Sequence, residues 1–216
     1  MPSIWGAGSQ PVGSATHAFG RPPRSRRLDN SRPPASEIRP WEVVSTGPEE
    51  DFRIFRVRRQ VSISPRTGHP HQLVVVDSPD WVNVVALTSD EQVVLIEQFR
   101  HGIAQVTLEI AGGIIERGES PVEAGIRELR EETGFGGGTA SVLGQVHPNP
   151  AYQTNTCYTI LVRDARRVSE LEQDVGEDIT VRLVPLAEIP RLIGAGQITH
   201  ALVVVAFHLL GLAPTE

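Results

Sequence analysis

The stretch Gly113-Ile-Ile-Glu-Arg-Gly-Glu119, followed after seven intervening residues by Arg127-Glu128-Leu129-Arg130-Glu131-Glu132-Thr133-Gly134-Phe135, decides the fold of this chain. Between its two halves, Ser120, Pro121 and Glu123 form a strong helix start: a serine cap, a proline suited to the first helical position, and an acid that completes a capping box. Gly134 stands where a helix commonly stops. The stretch therefore predicts a loop followed by a helix that runs to about Glu132.

An apolar row on this helix predicts its buried face. Val122, Ile126 and Leu129 recur at three- and four-residue spacing. Residues with this spacing lie on one side of a helix, so we expect all three to face the core.

The same helix carries a row of carboxylates. Glu128, Glu131 and Glu132 stand at positions i, i+3 and i+4, so they can share one face. Three like charges destabilise a helix unless counter-charges are near, and bound cations can supply what Arg127 and Arg130 do not. Mg²⁺ is usually held by one or two carboxylates together with waters and substrate phosphates. This face therefore suits a Mg²⁺–diphosphate complex, with a solvated Glu/Arg face as the alternative.

The whole stretch resembles the Nudix box, the signature of a family of hydrolases. That signature is a glycine, five residues, a glutamate, seven residues, and then Arg-Glu-aliphatic-any-Glu-Glu-any-Gly before an apolar residue. The matching residues are Gly113, Glu119, Arg127, Glu128, Leu129, Glu131, Glu132, Gly134 and Phe135.

The resemblance implies a role for each of these residues and a cofactor. It implies that metal ions are held by oxygens of Gly112, Glu128, Glu131 and Glu132. Arg127 and Glu119 would orient the loop and the helix through hydrogen bonds, and Gly113 would support the site. Glu131 and Arg127 are expected to take part in catalysis. Mg²⁺ is the expected cofactor, with Mn²⁺ as the alternative.

Composition limits the possible functions. With 216 residues and 39% hydrophobic content, the chain can form one domain with a buried core. The formal net charge of −6 gives no global attraction to nucleic acid, so no nucleic-acid partner is expected. All 20 basic residues are arginines, which excludes Schiff-base catalysis and lysine-dependent phosphate loops.

Cysteine content and hydropathy indicate the cellular compartment in which we expect the protein. Cys157 is the only cysteine, so no internal disulfide can form, and its apolar run 157–162 predicts a strand with a buried thiol. No apolar run approaches the roughly 18 residues of a membrane span, so no membrane partner is expected. We expect a cytoplasmic protein.

The chain divides near residue 40. Residues 1–40 are rich in Pro, Gly, Ser and Arg and poor in acids, so we expect a disordered tail, with a transit peptide as the alternative. Residues 41–212 are expected to form a Nudix hydrolase domain. Its first part, 41–80, is predicted to be an N-terminal β-hairpin region with a possible role in dimerisation, and 81–212 to be the catalytic core.

The alternation of strand and helix signals predicts an α+β fold. Strands are expected at 82–87, 93–96, 106–110, 140–146 and 158–162, and two helices near 186–193 and 199–210 close the chain. The Nudix resemblance implies an α/β/α sandwich with a mixed β-sheet.

Segments outside the box narrow the range of possible substrates. Glu97-Gln98-Phe99-Arg100 resembles the Glu-Gln-aromatic-Arg segment of ADP-ribose and nucleotide-sugar pyrophosphatases. This resemblance implies that Arg100 clamps a diphosphate, with a surface arginine that ends a strand as the alternative. Pro150, 15 residues beyond Phe135, lies near the marker proline of the same group. Ala151 departs from that group's usual glycine, which favours the wider nucleotide-sugar class over ADP-ribose alone.

Three further residues are candidates for contact with the substrate or with water. Tyr152 could touch the base or the sugar, or pack within its loop. Trp41 is a candidate for stacking on the base across a dimer, with a core tryptophan as the alternative. Glu177 lies in a segment that resembles the mobile acidic loop of the same enzymes. There it would act as a general base or late metal ligand, with a solvated loop as the alternative.

These features predict a Mg²⁺-dependent enzyme that hydrolyses the diphosphate bond of nucleoside diphosphate sugars such as ADP-ribose. The products would be a nucleoside monophosphate and a sugar phosphate. A homodimer is expected from the resemblance. One alternative is a Nudix hydrolase of nucleoside triphosphates or dinucleoside polyphosphates. The other is a non-catalytic nucleotide sensor, which the intact box glutamates disfavour.

Overall fold

The computed structural model of the chain describes residues 38–170 and 178–212. Its strands are β1 (Glu42–Asp51), β2 (Arg56–Ile63), β3 (Pro70–Asp77), β4 (Trp81–Leu87), β5 (Gln92–Arg100), β6 (Gln105–Glu109), β7 (Gly112–Ile114), β8 (Phe135–Gly136), β9 (Thr139–Val146), β10 (Cys157–Arg163), β11 (Arg166–Arg167) and β12 (Ile179–Pro185). Its helices are α1 (Pro121–Thr133), α2 (Ile189–Gly194), which follows a 3₁₀ turn at Leu186–Glu188, and α3 (Ala201–Leu212).

A seven-stranded sheet forms the centre of the fold. Its main path is β12-β5-β4-β10-β9, and β6 and β7 pair with β5 and β4. Strands β4 and β10 run parallel, whereas β5 is antiparallel to β12 and β6. The predicted mixed sheet is therefore confirmed.

Helices cover both faces of this sheet. Side chains alternate between the two faces of a strand, and β4 shows this clearly. Val85 and Leu87 pack in a core with α2 and α3, whereas Val82 and Val84 pack in a second core with α1. Because each face of the sheet is closed by helices, the α/β/α sandwich implied by the Nudix resemblance is confirmed.

A second, three-stranded antiparallel sheet has the order β1-β2-β3. Strands β2 and β3 form the predicted hairpin, and the turn between them is closed by a 2.8 Å hydrogen bond from Gly68 N to the Ser64 carbonyl. Strand β1 adds a third strand that the sequence does not reveal, because few of its residues are apolar and no alternation marks it. All ten residues of β1 are exposed.

Helix α1 begins and ends as its local sequence predicts. Ser120 caps it, the capping box with Glu123 is complete, and Gly134 takes the left-handed conformation at its end, with φ of 71°. The prediction that Ile126 faces the core is wrong, because its side chain is 44% exposed. Leu129 is buried and Val122 is partly buried against the same core, as predicted. The small residues Ala124 and Gly125 are also buried and let the helix approach the sheet closely. An added Cβ at Gly125 would lie 2.9 Å from the side chain of Ile160.

Cys157 is buried in β10, as predicted. Burial raises the pKa of its thiol to about 12, so the thiol is not a ready nucleophile. Within the described ranges, no helix is long and apolar enough to cross a membrane. The predicted disordered tail lies, except for its last three residues, outside the described residues.

Candidate active site

Arg127 joins the loop after β7 to helix α1. Its Nε and Nη2 donate to the two carboxylate oxygens of Glu119, each at 3.0 Å. Nη2 also donates to the carbonyl of Ile114 at 3.0 Å. Nη1 donates to Glu128 at 2.9 Å and to Glu131 at 3.1 Å. One guanidinium thus fixes the loop relative to two of the three predicted metal-binding carboxylates, and its hydrogen bonds hold the pKa of Glu119 below the usual value.

The third carboxylate, Glu132, is held by the backbone. Its side chain is only 5% exposed, and its Oε2 accepts a 2.9 Å hydrogen bond from the amide of Gly112. The next residue, Gly113, lies so close to α1 that an added Cβ would overlap the carboxylate of Glu128. A side chain at position 113 would therefore displace the Glu128 carboxylate from its present position.

The predicted metal ligands lie near one another at the C-terminal half of α1. Carboxylate and carbonyl oxygens are the donors that hard divalent cations prefer, so the donor chemistry fits such an ion. Glu128 and Glu131 are nevertheless turned towards Arg127. Among the described residues, no three His, Cys, Asp or Glu side chains converge closely enough to hold a metal ion. Cation binding would therefore require these side chains to rotate away from the guanidinium.

The central sheet splits open beside this helix. Strands β4 and β5 pair only at Leu87 and Val93. Beyond that point β4 pairs with β7, and β5 pairs with β6. A cavity of about 540 Å³ lies in the split, and we call it the fork cavity. Its walls are formed by Trp81, Val82, Asn83, Arg100, His101, Gly102, Ile103, Thr107, Glu109, Ile110, Gly112, Gly113, Ile114, Thr199, His200 and Leu202.

Arg100 and Glu109 form an ion pair on one wall of the fork cavity. Arg100 donates from Nε and Nη2 to the two oxygens of Glu109, at 2.9 and 2.7 Å. Thr107 adds a 2.6 Å hydrogen bond to the same carboxylate. Burial acts to raise the pKa of Glu109, but the hydrogen bonds from Arg100 and Thr107 outweigh it, so the pKa is lowered. Glu109 is therefore a buried anion that holds the Arg100 guanidinium in place.

The structure separates the other predicted substrate contacts from this cavity. Trp41 is exposed and makes an edge contact with His71, at a ring-centroid distance of 5.1 Å. Tyr152 is exposed in a loop that pairs with β3, where its carbonyl accepts a 2.8 Å hydrogen bond from Val76 N. Neither is among the described residues that line the fork cavity. The predicted base, Glu177, lies outside the described residues.

Sequence reasoning missed residues of the fork cavity that fold together from distant segments. Glu109 had a usable signal, because a charged residue between Leu108 and Ile110 of a predicted strand must find a partner when it is buried. Asn83, a polar residue in the apolar strand β4, had a weaker one. His200 had none, since its place at the cavity depends on how α3 packs on the sheet.

The Nudix class follows from this architecture together with a direct family match. The family model described as the NUDIX domain matches residues 78–204, which contain the fork cavity and the whole of α1. The chain belongs to the Nudix family of hydrolases. Nudix hydrolases generally use a divalent metal ion, which agrees with the donor chemistry at α1.

Two bacterial relatives share much of the chain. An ADP-ribose pyrophosphatase of Mycobacterium tuberculosis is 27% identical over 166 residues, covering 76% of this chain and 80% of the relative. An ADP-ribose pyrophosphatase of Bacillus subtilis is 27% identical over 135 residues, covering 62% of this chain and 73% of the relative. A crystal structure of an ADP compounds hydrolase superposes with a TM-score of 0.73 at 24% identity, covering 82% of this chain and 95% of that one. At that identity the superposition shows a shared fold.

Proposed function

We propose that this protein hydrolyses the diphosphate bond of nucleoside diphosphate sugars such as ADP-ribose, giving a nucleoside monophosphate and a sugar phosphate. One observation carries the proposal: Arg100, the proposed metal ligand Gly112 and the box residue Gly113 line the same cavity. A guanidinium that matches phosphate oxygens therefore lines the same cavity as the loop that leads to the proposed metal-binding carboxylates. The ADP-ribose pyrophosphatases among the relatives support this substrate class.

The cofactor in this proposal is Mg²⁺, with Mn²⁺ as the alternative. Glu128, Glu131, Glu132 and the carbonyl of Gly112 would hold it. When bound, such an ion neutralises charge on the phosphoryl oxygens and lowers the pKa of a bound water. The small size of the carboxylate set agrees with the way Mg²⁺ binds in proteins, with phosphates and waters completing its coordination.

The chain's own groups position the reaction and move the proton. Arg127 and Glu119 hold the loop against α1, and Arg127 restrains Glu131 until the site is loaded. Glu177 is the proposed acceptor of the proton from the attacking water, because the sequence around it resembles the acidic loop that supplies this group in nucleotide-sugar pyrophosphatases. Arg100, held by Glu109, would clamp the diphosphate.

The proposal extends to the assembly. We propose a homodimer in which residues 41–80 supply the contact and residues 81–212 supply catalysis. The exposed strand β1 and the exposed apolar side chains Trp41, Val43 and Val44 support such a contact. In a dimer, Trp41 and Tyr152 could reach substrate from outside the fork cavity. The single cysteine supports a reducing, cytoplasmic location.

A substrate panel tests the proposal. The full chain is incubated with Mg²⁺ and, separately, ADP-ribose, other nucleoside diphosphate sugars, ATP and a diadenosine polyphosphate, and the products are separated by chromatography. We expect AMP and ribose 5-phosphate from ADP-ribose. Cleavage of ATP or the dinucleotide with no turnover of any nucleotide sugar would overturn the proposed substrate class while leaving a Nudix hydrolase. Binding of these compounds without turnover of any would contradict hydrolysis itself.

A further inference from the structure

The guanidinium of Arg100 uses only one of its two binding edges within the fold. A guanidinium carries five N–H donors in one rigid plane, so it presents two edges that can each bind a pair of oxygens. Glu109 occupies the edge formed by Nε and Nη2, at 2.9 and 2.7 Å. Among the described residues, no atom accepts a hydrogen bond from Nη1. The edge formed by Nη1 and Nη2 is therefore available to a further anion, and 43% of the Arg100 side chain is exposed.

The direction of that second edge is set by the Glu109 carboxylate. Because the guanidinium is planar and rigid, an ion pair along one edge also fixes where the other edge points. Oε1 of Glu109 accepts from Arg100 Nε at 2.9 Å and from Thr107 Oγ1 at 2.6 Å, and Oε2 accepts from Arg100 Nη2 at 2.7 Å. Among the described residues, Thr107 is therefore the only hydrogen-bond donor to this carboxylate apart from Arg100 itself.

The hydroxyl of Thr107 is committed to Glu109. A hydroxyl has one hydrogen to donate, and Thr107 Oγ1 lies 2.6 Å from Glu109 Oε1 but 3.4 Å from the carbonyl oxygen of Gln98. The longer distance lies outside the usual range for a hydroxyl donor, so the hydrogen goes to the carboxylate. Thr107 is 6% exposed and Glu109 is 2% exposed. Water therefore has little access to this hydrogen bond and cannot readily replace it.

We infer that Thr107 is a positioning residue for the diphosphate: its hydroxyl fixes the Glu109 carboxylate, and the carboxylate aims the second edge of Arg100 at the phosphate oxygens. The inference rests on the proposed function, in which Arg100 clamps the diphosphate. Thr107 acts through Arg100 and does not itself bind the substrate. Without the hydroxyl, Oε1 keeps a single donor in a site that water hardly enters. The carboxylate and the guanidinium are then no longer held in one orientation.

Steady-state kinetics with ADP-ribose and Mg²⁺ test this role. Thr107→Val keeps the shape of the side chain and removes the hydroxyl. We expect its KM to rise about tenfold and its kcat to stay within about threefold of the wild type, because a clamp that holds the diphosphate equally before and during the reaction contributes to KM alone. Thr107→Ser restores the hydroxyl and should restore most of the affinity. Thr180→Val, the same change at an exposed position of β12, is the matched control and should behave as the wild type.

A double-mutant cycle distinguishes a positioning role from a general structural one. Arg100→Lys keeps a positive charge beside Glu109 but lacks the second edge. If Thr107 acts through Arg100, Thr107→Val should raise KM about tenfold in the wild-type background and less than about twofold in the Arg100→Lys background. Equal effects in the two backgrounds would overturn the inference, because Thr107 would then act independently of Arg100. A KM of Thr107→Val that equals the wild-type value would also overturn it.

A measurement without substrate separates failure of this inference from failure of the proposed function. The exchange of the Arg100 Nε hydrogen with water is followed by ¹⁵N NMR, and its signal is assigned as the one lost in Arg100→Lys. We expect this exchange to be about tenfold faster in Thr107→Val and unchanged in Thr107→Ser. If no nucleotide sugar is cleaved but the exchange accelerates, the positioning of Arg100 stands and the proposed function fails. If cleavage is normal while KM and exchange in Thr107→Val match the wild type, the proposed function stands and the inference fails.

Discussion

At the scale of single residues, the ion pair of Arg100 and Glu109 shows how a buried charge can serve a binding site. Glu109 is 2% exposed, and its carboxylate accepts hydrogen bonds from Arg100 and Thr107. Such a charge would be strongly unfavourable if unpaired. Because Glu109 fixes the Arg100 guanidinium at the cavity wall, a phosphate can meet that guanidinium without first ordering it.

The pH dependence of stability should reveal this pair. The pKa of Glu109 is lowered in the folded protein from a usual value of 4.5. A lowered folded-state pKa contributes stability above the unfolded-state pKa, and this contribution is lost as the pH falls through the folded-state pKa. Glu109→Gln should therefore lower the free energy of unfolding by about 1–3 kcal/mol at pH 7. This difference in the free energy of unfolding between Glu109→Gln and the wild type should stay constant down to about pH 4.5 and shrink below that pH.

Urea unfolding at a series of pH values checks this prediction. Glu91→Gln, a change of the same kind at an exposed site, is the matched control and should give no such gap. A gap for Glu109→Gln that grows as the pH falls below 4 would mean that the carboxylate is not stabilised by its partners.

Cys157 gives a second residue-scale prediction. Its thiol is buried and its pKa is raised to about 12 by burial, with the charge of Asp80 as a smaller cause. The native protein should therefore react with a thiol reagent at pH 8 only at the rate of local opening, and the unfolded protein should react at once. Rapid labelling of the native protein would contradict the position of β10 in the core.

At the scale of elements, α1 depends on close approach to the sheet as much as on its own sequence. Gly125 faces Ile160 and Val84, and a Cβ there would lie 2.9 Å from Ile160 Cγ1 and 3.3 Å from Val84 Cγ2. The carboxylates proposed to bind metal lie on the same helix. A small shift of α1 away from the sheet would therefore disturb both the core and the site.

A pair of glycine substitutions tests this packing. Gly125→Ala should lower the free energy of unfolding by about 1–3 kcal/mol, because overpacking outweighs the gain in helix propensity. Gly211→Ala in α3 meets nothing within 4 Å and should be neutral or stabilising by up to about 1 kcal/mol. Chemical denaturation of both variants measures the difference. Stabilisation by Gly125→Ala would show that α1 does not pack against β4 and β10 as described.

The same helix shows what the sequence can and cannot reveal. Ser120, Pro121 and Gly134 act through their own backbone neighbourhood, so the ends of α1 were predictable from local sequence. The buried face was only partly predictable: Leu129 and Val122 pack in the core as their spacing indicates, but Ile126 is exposed, and Ala124 and Gly125 approach the sheet instead. Strand β1 was missed for a related reason: its residues are exposed, so no alternation of apolar and polar residues marks it.

The residues of the candidate site also differ in whether the sequence alone reveals them. The box glutamates and Arg127 are close in sequence and carry a recognisable pattern, so they could be found without a structure. Glu109, Asn83 and His200 come from separate elements and meet only because the sheet splits between β4 and β5. Their proximity is a property of topology, which side-chain type and spacing do not encode locally.

At the scale of the whole molecule, the three-stranded sheet is the part most open to a partner. Its edge strand β1 is exposed throughout its ten residues, and an exposed edge presents unpaired backbone groups to another chain. Val43 and Val44 on this strand, and Val74 on β3, are about half exposed. These features fit the proposed contact between two copies.

An aspartate placed on this sheet should weaken the proposed homodimer. Val43→Asp introduces a charge that must be desolvated on association, so we expect the dissociation constant to rise at least tenfold. Val142→Asp on β9 is the matched control, since Val142 is similarly exposed but lies on the central sheet. Sedimentation velocity over a range of concentrations measures both. A wild type that sediments as a monomer at all concentrations would contradict the proposed assembly.

The central claim is that the carboxylates of α1 hold the metal ion with which the protein hydrolyses the diphosphate of a nucleotide sugar, and one comparison tests it most directly. The kcat for ADP-ribose hydrolysis with Mg²⁺ is measured for the wild type, for Glu132→Gln and for Glu123→Gln. Glu123→Gln is the control, because Glu123 is an exposed residue of the same helix and a glutamine there can still complete the capping box. We predict that Glu132→Gln loses activity by about 10² or more with its unfolding midpoint close to that of the wild type, and that Glu123→Gln keeps nearly all activity. A wild type that cleaves ADP-ribose while Glu132→Gln retains full kcat would contradict the claim.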